Sequence, residues 1–364
     1  MRSLRKEVPQ TQADPRPRIE LSIAAETKCL ATFSLPREGE MKNARFVLVL
    51  VLVLALASVA PTFAASPEDD KLDIYMVQMG ACSWDAFWCV VDKGAQAAAE
   101  DFNVNVVQLA PSKWDPEACV QNIDRAIAAK PDGIGVTIID GALFEEPLMK
   151  AIAAGIPVIA YDTADMRPKE ERIPYLTFIG SDEYLSGYKA ADRLYTTHGG
   201  KRGVCVNHSI GHGALDARCR GFVDRLTEIG IPAEVLAISE DAAEATTILG
   251  DYYAANPDVD TWYTLGPIGV VPFYAFMKNA GLKAGDIYHG TNDLTPEVVE
   301  KIKDGTTDFA IDSQPYLVGY LTVAWLSWIN RYGLYPAAEI TATGPGFIDK
   351  NTVDLVSKLA GEYR

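Results

Sequence analysis

Two stretches of this chain carry the same punctuation at the same interval. Ala128-Ala129-Lys130-Pro131-Asp132 ends one helical pattern, and Ala254-Ala255-Asn256-Pro257-Asp258 ends another. Each is followed by a second helix end, Ala154-Gly155-Ile156 in one case and Ala280-Gly281-Leu282 in the other, and the spacing from Pro131 to Gly155 equals that from Pro257 to Gly281. Gly94-Ala95 and Gly221-Phe222 hold matching places on an earlier helix of each half. Gly and Pro mark helix ends for stereochemical reasons. Several such marks in register therefore describe one supersecondary plan used twice.

Between the marks, short apolar runs alternate with amphipathic helical patterns. Residues 72–79, 104–109, 134–139 and 157–161 read as strands, separated by helices over 87–100, 116–129 and 143–154. The scheme restarts with strands at 203–206, 233–238, 261–265 and 286–290 and helices at 215–228, 243–255 and 272–280. Strands that are apolar throughout, rather than alternating, are buried on both faces of a parallel sheet. The length of 364 residues suits two domains. The expected fold is α/β: two similar doubly wound parallel-sheet lobes with a ligand cleft between them. Trp262, Trp325 and Trp328 fall inside predicted elements and are expected in the core.

Open parallel sheets bind ligands outside the carboxyl ends of their strands. In the first half those ends are residues 81–88, Asp140 and Asp162-Thr163; in the second they are 207–216, Gly266-Pro267 and Asn292-Asp293. The set suits a small polyhydroxylated molecule. Asp85, Asp140, Asp162, Asn292, Asp293 and Arg218 supply charge-assisted or amide hydrogen bonds to hydroxyls. Trp84, Phe87, Trp88 and Trp114 supply flat apolar walls, and His208 and His212 can donate or accept. A plainer role competes for Asp85 and Asp140, because an Asp between strand and helix often caps the helix. Neither Arg218 nor Asp162 is expected in a lobe core, so substitution there should affect binding far more than folding. No G-x-S-x-G, P-loop or dinucleotide fingerprint is present, and Gly211-His212-Gly213 lacks a third glycine.

The N-terminal part points to export. Lys42 and Arg45 precede the apolar run 46–60, and Thr62-Phe63-Ala64 follows it, the layout of a signal peptide over 41–64 cleaved after Ala64. The run is shorter than the roughly 20 residues of a membrane span. Residues 1–40 are expected to be an extension upstream of the true start at Met41: Glu38-Gly39-Glu40 requires purine-rich codons directly before that ATG. The processed chain would carry 24 basic and 43 acidic residues, a net charge of −19. Such a charge argues against nucleic acid or an anionic membrane surface as partner. Five of the six cysteines remain after processing. Cys205 and Cys219 flank a Gly-rich strand-to-helix loop and are expected to pair in an oxidising compartment, while Cys82 is left to pair with Cys89 or Cys119. No C-x-x-C or His spacing suggests a metal, and no cofactor is expected.

From Leu72 onward the chain resembles the ribose-binding-protein family of periplasmic sugar receptors that serve ABC importers. Asp85-Ala86-Phe87-Trp88 with Gly94-Ala95 is similar to the family's N-P-F-F…G-A segment, whose polar residue and aromatics line the sugar. The run Gly155-Ile156-Pro157-Val158-Ile159-Ala160-Tyr161-Asp162 is similar to its G-I-P-V-V-x-x-D strand, and Arg218 upstream of Gly221-Phe222 matches a sugar-binding Arg. Gly290-Thr291-Asn292-Asp293 matches a G-x-D loop, with Asn292 aligned to its carboxylate, and Ser313-Gln314-Pro315-Tyr316 matches a Q-Q-P-Y hinge segment. The chain departs from ribose binders at Asp85 for Asn, Thr163 for Arg, Gly266 for Asn and Ser313 for Gln, which points away from ribose itself. The segment from Cys205-Val206-Asn207-His208 to Arg218-Cys219-Arg220-Gly221-Phe222 resembles a subgroup whose ligands are either poorly defined or sugar alcohols.

The resemblance implies two lobes, 71–183 with 315–341 and 184–314 with 342–364, joined by a three-segment hinge. It implies a monomeric periplasmic receptor for a sugar or polyol, and the matched motifs together with the strand-end position of Asp140 and His208 give the expected binding set Asp85, Phe87, Trp88, Asp140, Asp162, His208, Arg218, Asn292, Asp293 and Gln314. That receptor would deliver its ligand to the membrane permease of an ABC importer, and a chemoreceptor is a second expected partner. An enzyme of the same fold acting on a small polyol, or a sensor serving a chemoreceptor alone, is the alternative. The effector domain of a DNA-binding regulator is disfavoured, because the export signal occupies the place of a DNA-reading helix pair.

Overall fold

The computed structural model describes residues 71–364. The expected upstream extension and signal peptide lie outside the described residues. The first sheet contains β1 (Asp73–Val77), β2 (Asn105–Leu109), β3 (Gly133–Val136), β4 (Val158–Tyr161), β5 (Phe178–Gly180) and the late strand β11 (Ile340–Ala342). Their order is β11-β5-β4-β3-β1-β2, with every pairing parallel. Helices α1 (Ala86–Asp101), α2 (Pro116–Ala128), α3 (Gly141–Ala153) and α9 (Pro315–Tyr332) cover it. Residues on one face, such as Ile74 and Met76, pack with Val91 and Leu326. The other face sends Val77 and Ile134 against Ile123 and Phe144. Every residue of β3 and β4 is buried, which is why these strands read as unbroken apolar runs.

The second sheet repeats the plan with β6 (Gly203–Asn207), β7 (Ala233–Ala237), β8 (Thr261–Thr264), β9 (Tyr288–Asn292), β10 (Phe309–Asp312) and β12 (Gly346–Asp349), in the order β12-β10-β9-β8-β6-β7. Its helices are α4 (Glu183–His198), α5 (Gly213–Glu228), α6 (Ala242–Ala255), α7 (Pro267–Ala280), α8 (Pro296–Asp304) and α10 (Val353–Val356). One strand departs from the parallel plan: β12 runs antiparallel to β10. The cause is its point of entry. The chain leaves β11 and reaches β12 within three residues, so Gly346 lands opposite Asp312, the last residue of β10, and must run back along it. The chain passes between the sheets three times, at 181–182, 313–314 and 343–345.

The repeated glycines have a packing reason. A Cβ on Gly94 would fall 1.9 Å from the Tyr316 carbonyl oxygen, where α1 crosses α9, and one on Gly319 would fall 2.0 Å from that of Val91. The same reciprocal approach joins α4 to α5: Gly187 faces the Arg218 carbonyl and Gly221 the Tyr184 carbonyl, at 1.8 and 2.0 Å from an ideal Cβ. Gly221→Val is therefore expected to force these helices apart and lower stability by about 1–3 kcal/mol. Thermal unfolding checks this, and an unchanged midpoint would contradict the close contact. Trp262 is fully buried as expected. Trp325 and Trp328 are half-buried instead, edge-on to each other with ring centroids 5.2 Å apart, Trp325 packed against the core of the first sheet and Trp328 against Phe102.

Candidate functional site: the cleft between the two sheets

The strand ends of the two sheets meet across one cleft. From the first sheet, the segment after β1 supplies Met79, Trp84, Asp85, Phe87 and Trp88. A Cys82–Cys89 disulfide, with Cα atoms 4.5 Å apart, ties this segment to the start of α1. Asp85 caps α1 by accepting from the Phe87 amide at 3.1 Å. Trp88 is buried under Gly80, where a Cβ would lie 1.9 Å from the indole nitrogen, and Phe87 meets it edge-on at 5.2 Å. Trp84 donates to the Pro111 carbonyl at 3.3 Å, and Trp114 joins the wall from the loop after β2. Asp162 and Thr163 follow β4.

The second sheet contributes His208, Ser209, His212 and Arg218 after β6, Glu240 after β7, Leu265, Gly266 and Pro267 after β8, and Asp293 after β9. A Cys205–Cys219 disulfide pins β6 to α5 beside Arg218. Cys119 is the free cysteine among the described residues, which settles the partner of Cys82.

Asp162 and Asp293 are counterparts in the internal repeat. Each is the first residue past the fourth strand of its sheet, and each has a left-handed backbone, with φ of 59° and 64°. That conformation is uncommon for a residue other than Gly and turns the side chain out of the strand path. Burial pushes both carboxyls up to about 7, with Arg218 pulling down and Glu183 pushing further up. Asp85 rises to about 6 through burial, with Glu240 adding to the rise.

Arg218 differs from expectation. It is only 6% exposed, its Nε is paired with the buried carboxylate of Glu183, and its Nη1 donates to the Leu265 carbonyl at 3.1 Å. Burial opposes its charge, but Glu183 holds the guanidinium above the usual arginine range. Arg218 is thus part of the interior framework as well as of the cleft wall, and its substitution bears on folding too.

The two cleft histidines are held toward the neutral form. Burial and Arg218 bring His208 down to about 4, and the same two causes with His208 bring His212 to about 3. The His208 Nδ1 and the Asp293 Oδ1 are buried without a hydrogen-bond partner. Such atoms are costly to leave unpaired.

Of the ten residues expected to bind the ligand, seven line the cleft, Asp85, Phe87, Trp88, Asp162, His208, Arg218 and Asp293, and the candidates Trp84, Trp114 and His212 line it with them. Three lie off its lining. Asp140 is exposed and is used as the cap of α3, accepting from the amides of Ala142 and Leu143 at 2.9 and 3.0 Å. Asn292 is buried behind the wall, where its Oδ1 accepts from the Tyr263 hydroxyl, and the next residue, Asp293, turns into the cleft instead. Gln314 joins two hinge segments by donating to the Thr343 carbonyl at 2.5 Å. Met79, Ser209 and Glu240 were not singled out. Glu240 stands just past β7 and could have been found by the same strand-end rule. Among the described residues, no cluster of three or more His, Cys, Asp or Glu is placed to hold a metal.

Twin α/β lobes with hydrogen-bonding groups and aromatic walls converging on a shared cleft define a two-lobed solute-binding protein. The chain matches the family model described as "Periplasmic binding protein domain" over residues 81–328, and it belongs to that family. Membership places its work outside the cytoplasmic membrane, as a binding protein rather than an enzyme. The chain is 28% identical to the xylose/arabinose-binding protein XylF of Sulfolobus acidocaldarius, over 73% of this chain and 69% of that one. A carbohydrate transporter from Acidothermus cellulolyticus, solved in complex with myo-inositol, is 31% identical with a TM-score of 0.73, covering 80% of this chain and 99% of that one. An ABC transporter solute-binding protein from Agrobacterium vitis, bound with alpha-D-tagatopyranose, is 28% identical with a TM-score of 0.72, covering 81% and 100%.

Proposed function

We propose that the protein captures a monosaccharide or sugar alcohol in this cleft and delivers it to the permease of an ABC importer. The observation that carries the reading is the pair of unpartnered buried atoms, Asp293 Oδ1 and His208 Nδ1, in a wall that also holds Asp162 and Arg218. Hydroxyl groups satisfy such a set, donating to carboxylates and accepting from a guanidinium. The indoles of Trp84, Trp88 and Trp114 and the ring of Phe87 suit the C–H faces of a pyranose or a cyclitol. The relatives named above bind an aldopentose, a cyclitol and a ketohexose, which fits a neutral ligand of that size.

The mature chain begins near Ala65 after signal cleavage and acts as a monomer. Residues 71–180 with 315–342 move against 183–312 with 346–364 about the three crossings, Glu183 opening the second lobe and Ala342 closing the first, and the lobes close on ligand that touches both. Thermal-shift screening against D-xylose, L-arabinose, D-tagatose, myo-inositol and linear sugar alcohols is expected to raise the melting temperature for at least one of them. The bound compound should be recovered unaltered after long incubation. A panel with no shift, or a ligand returned chemically changed, overturns the reading.

A further inference from the structure

His212 stands at the cleft but is not free to serve a ligand. It caps α5, where its Nδ1 accepts from the Ala214 amide at 3.2 Å. An accepting Nδ1 leaves the proton of the neutral ring on Nε2. That Nε2 lies 2.8 Å from the Met79 sulfur, on the opposite lobe. The ring also stacks on Trp114 of the opposite lobe, with centroids 5.3 Å apart and planes 20° apart. Next to it, the Gly213 amide donates to the Ile139 carbonyl at 3.4 Å, again across the cleft. A Cβ on Gly213 would come within 3.1 Å of Met166 Cγ, so the lobes approach closely here.

We propose that His212 is a positioning residue that latches the closed form: clasped by Met79 and Trp114, it sets how fast the cleft reopens. The burial of the ring requires both lobes. At 2% exposure it is almost wholly enclosed, and two of its three named contacts come from the far side. Opening must break the stack and the thioether contact together. The loop bearing Ser209 and His212 is anchored within its own lobe, because Asp216 accepts from the Asn207 side chain at 2.8 Å and from the Gly211 amide at 3.0 Å. The opposing partner is anchored too, since α2 starts directly after Trp114 with Asp115 as its cap. Two fixed surfaces therefore meet through one ring, and the contact is made or lost as a unit.

The proposal rests on the two-lobe reading of function but not on the identity of the ligand, and its test has a ligand-free arm. His212→Asn keeps a good capping acceptor while removing the ring. Trp114→Leu and Met79→Leu remove the stack and the sulfur separately. Spin labels on exposed Lys150 and Lys283, one in each lobe and each introduced as Cys in a Cys119→Ser background, report inter-lobe distance. Without sugar, the short-distance population should fall about tenfold in His212→Asn and in Trp114→Leu. With D-xylose, D-tagatose or myo-inositol as probe, the dissociation rate should rise about tenfold while the association rate stays within about twofold. The His212→Asn/Trp114→Leu double variant should be no worse than either single one, because the pair acts as a unit. Unchanged distances in the ligand-free arm overturn the latch. Failure of all three probes to bind while the distances shift as expected would overturn the sugar reading and leave the latch standing.

Discussion

Arg218→Ala is expected to damage binding and folding together. The guanidinium is buried and paired with Glu183, itself 4% exposed and set in the first turn of α4 at the first hinge crossing. Removing one member of a buried ion pair strands the other and costs about 3–5 kcal/mol. The Leu265 carbonyl loses its donor as well. Binding should fall at least ten- to a hundredfold, because a charge-assisted hydrogen bond is worth about 1.5–3 kcal/mol. Arg218→Lys retains the charge but loses the fork that serves Glu183 and Leu265 at once, so it should recover part of the stability and little of the affinity. Glu183→Gln separates the two roles: it removes the framework charge while leaving Arg218 in the cleft wall. Chemical denaturation and calorimetric titration of the three variants check this. A melting temperature and affinity of Arg218→Ala matching those of the parent would show that neither the framework nor the cleft depends on this pair.

What the sequence disclosed and withheld follows from the range of the interactions involved. Strand and helix periodicity is local, and so is the Gly and Pro punctuation, so the doubled α/β plan could be read directly. The strand-end rule then located Asp85, Asp162 and Asp293, because the chemistry of a parallel sheet concentrates at one edge. Longer-range facts stayed hidden. Glu183 lies 35 residues from Arg218 and belongs to another helix, so nothing local announces their pairing. The choice between Asn292 and Asp293 depends on where β9 stops and on a single left-handed residue after it. The direction of β12 depends on where the third crossing delivers the chain, which no periodicity records. Asp140 had two readings at sequence level, and local geometry put both of its capping bonds within reach of one oxygen.

Ligand affinity is expected to fall as the solution is acidified through neutrality, and Asp293→Asn should flatten that dependence. Burial raises Asp162 and Asp293 from 3.8 to about 7 in the ligand-free cleft, and Asp85 to about 6. Hydroxyls that donate to these groups need them ionised, so binding expels whatever protons they hold. Below about pH 7 each carboxyl that must lose a proton weakens binding by up to tenfold per pH unit; above about pH 8 the dependence disappears. His208 and His212 act in the same sense. Their values are lowered in the closed cleft, so an open cleft that lets them protonate near 6.5 competes with closure in acid. For folding stability the signs differ. Groups with raised values stabilise the ligand-free fold in full below 3.8, and that contribution is lost as pH rises through about 7. Histidines with lowered values stabilise it above about 6.5, and that contribution is lost as pH falls. The two sets oppose each other between about pH 4 and 6.5, so stability should change less than affinity over that range. Titration calorimetry from about pH 8 to about pH 5.5, in buffers of different ionisation enthalpy, counts the protons released. Asp293→Asn should bind more weakly at neutral pH and release about one proton fewer in acid. Affinity that climbs toward acid would mean that protonated carboxyls donate to the ligand. Affinity that ignores pH in both proteins would mean that the two left-handed aspartates do not face it.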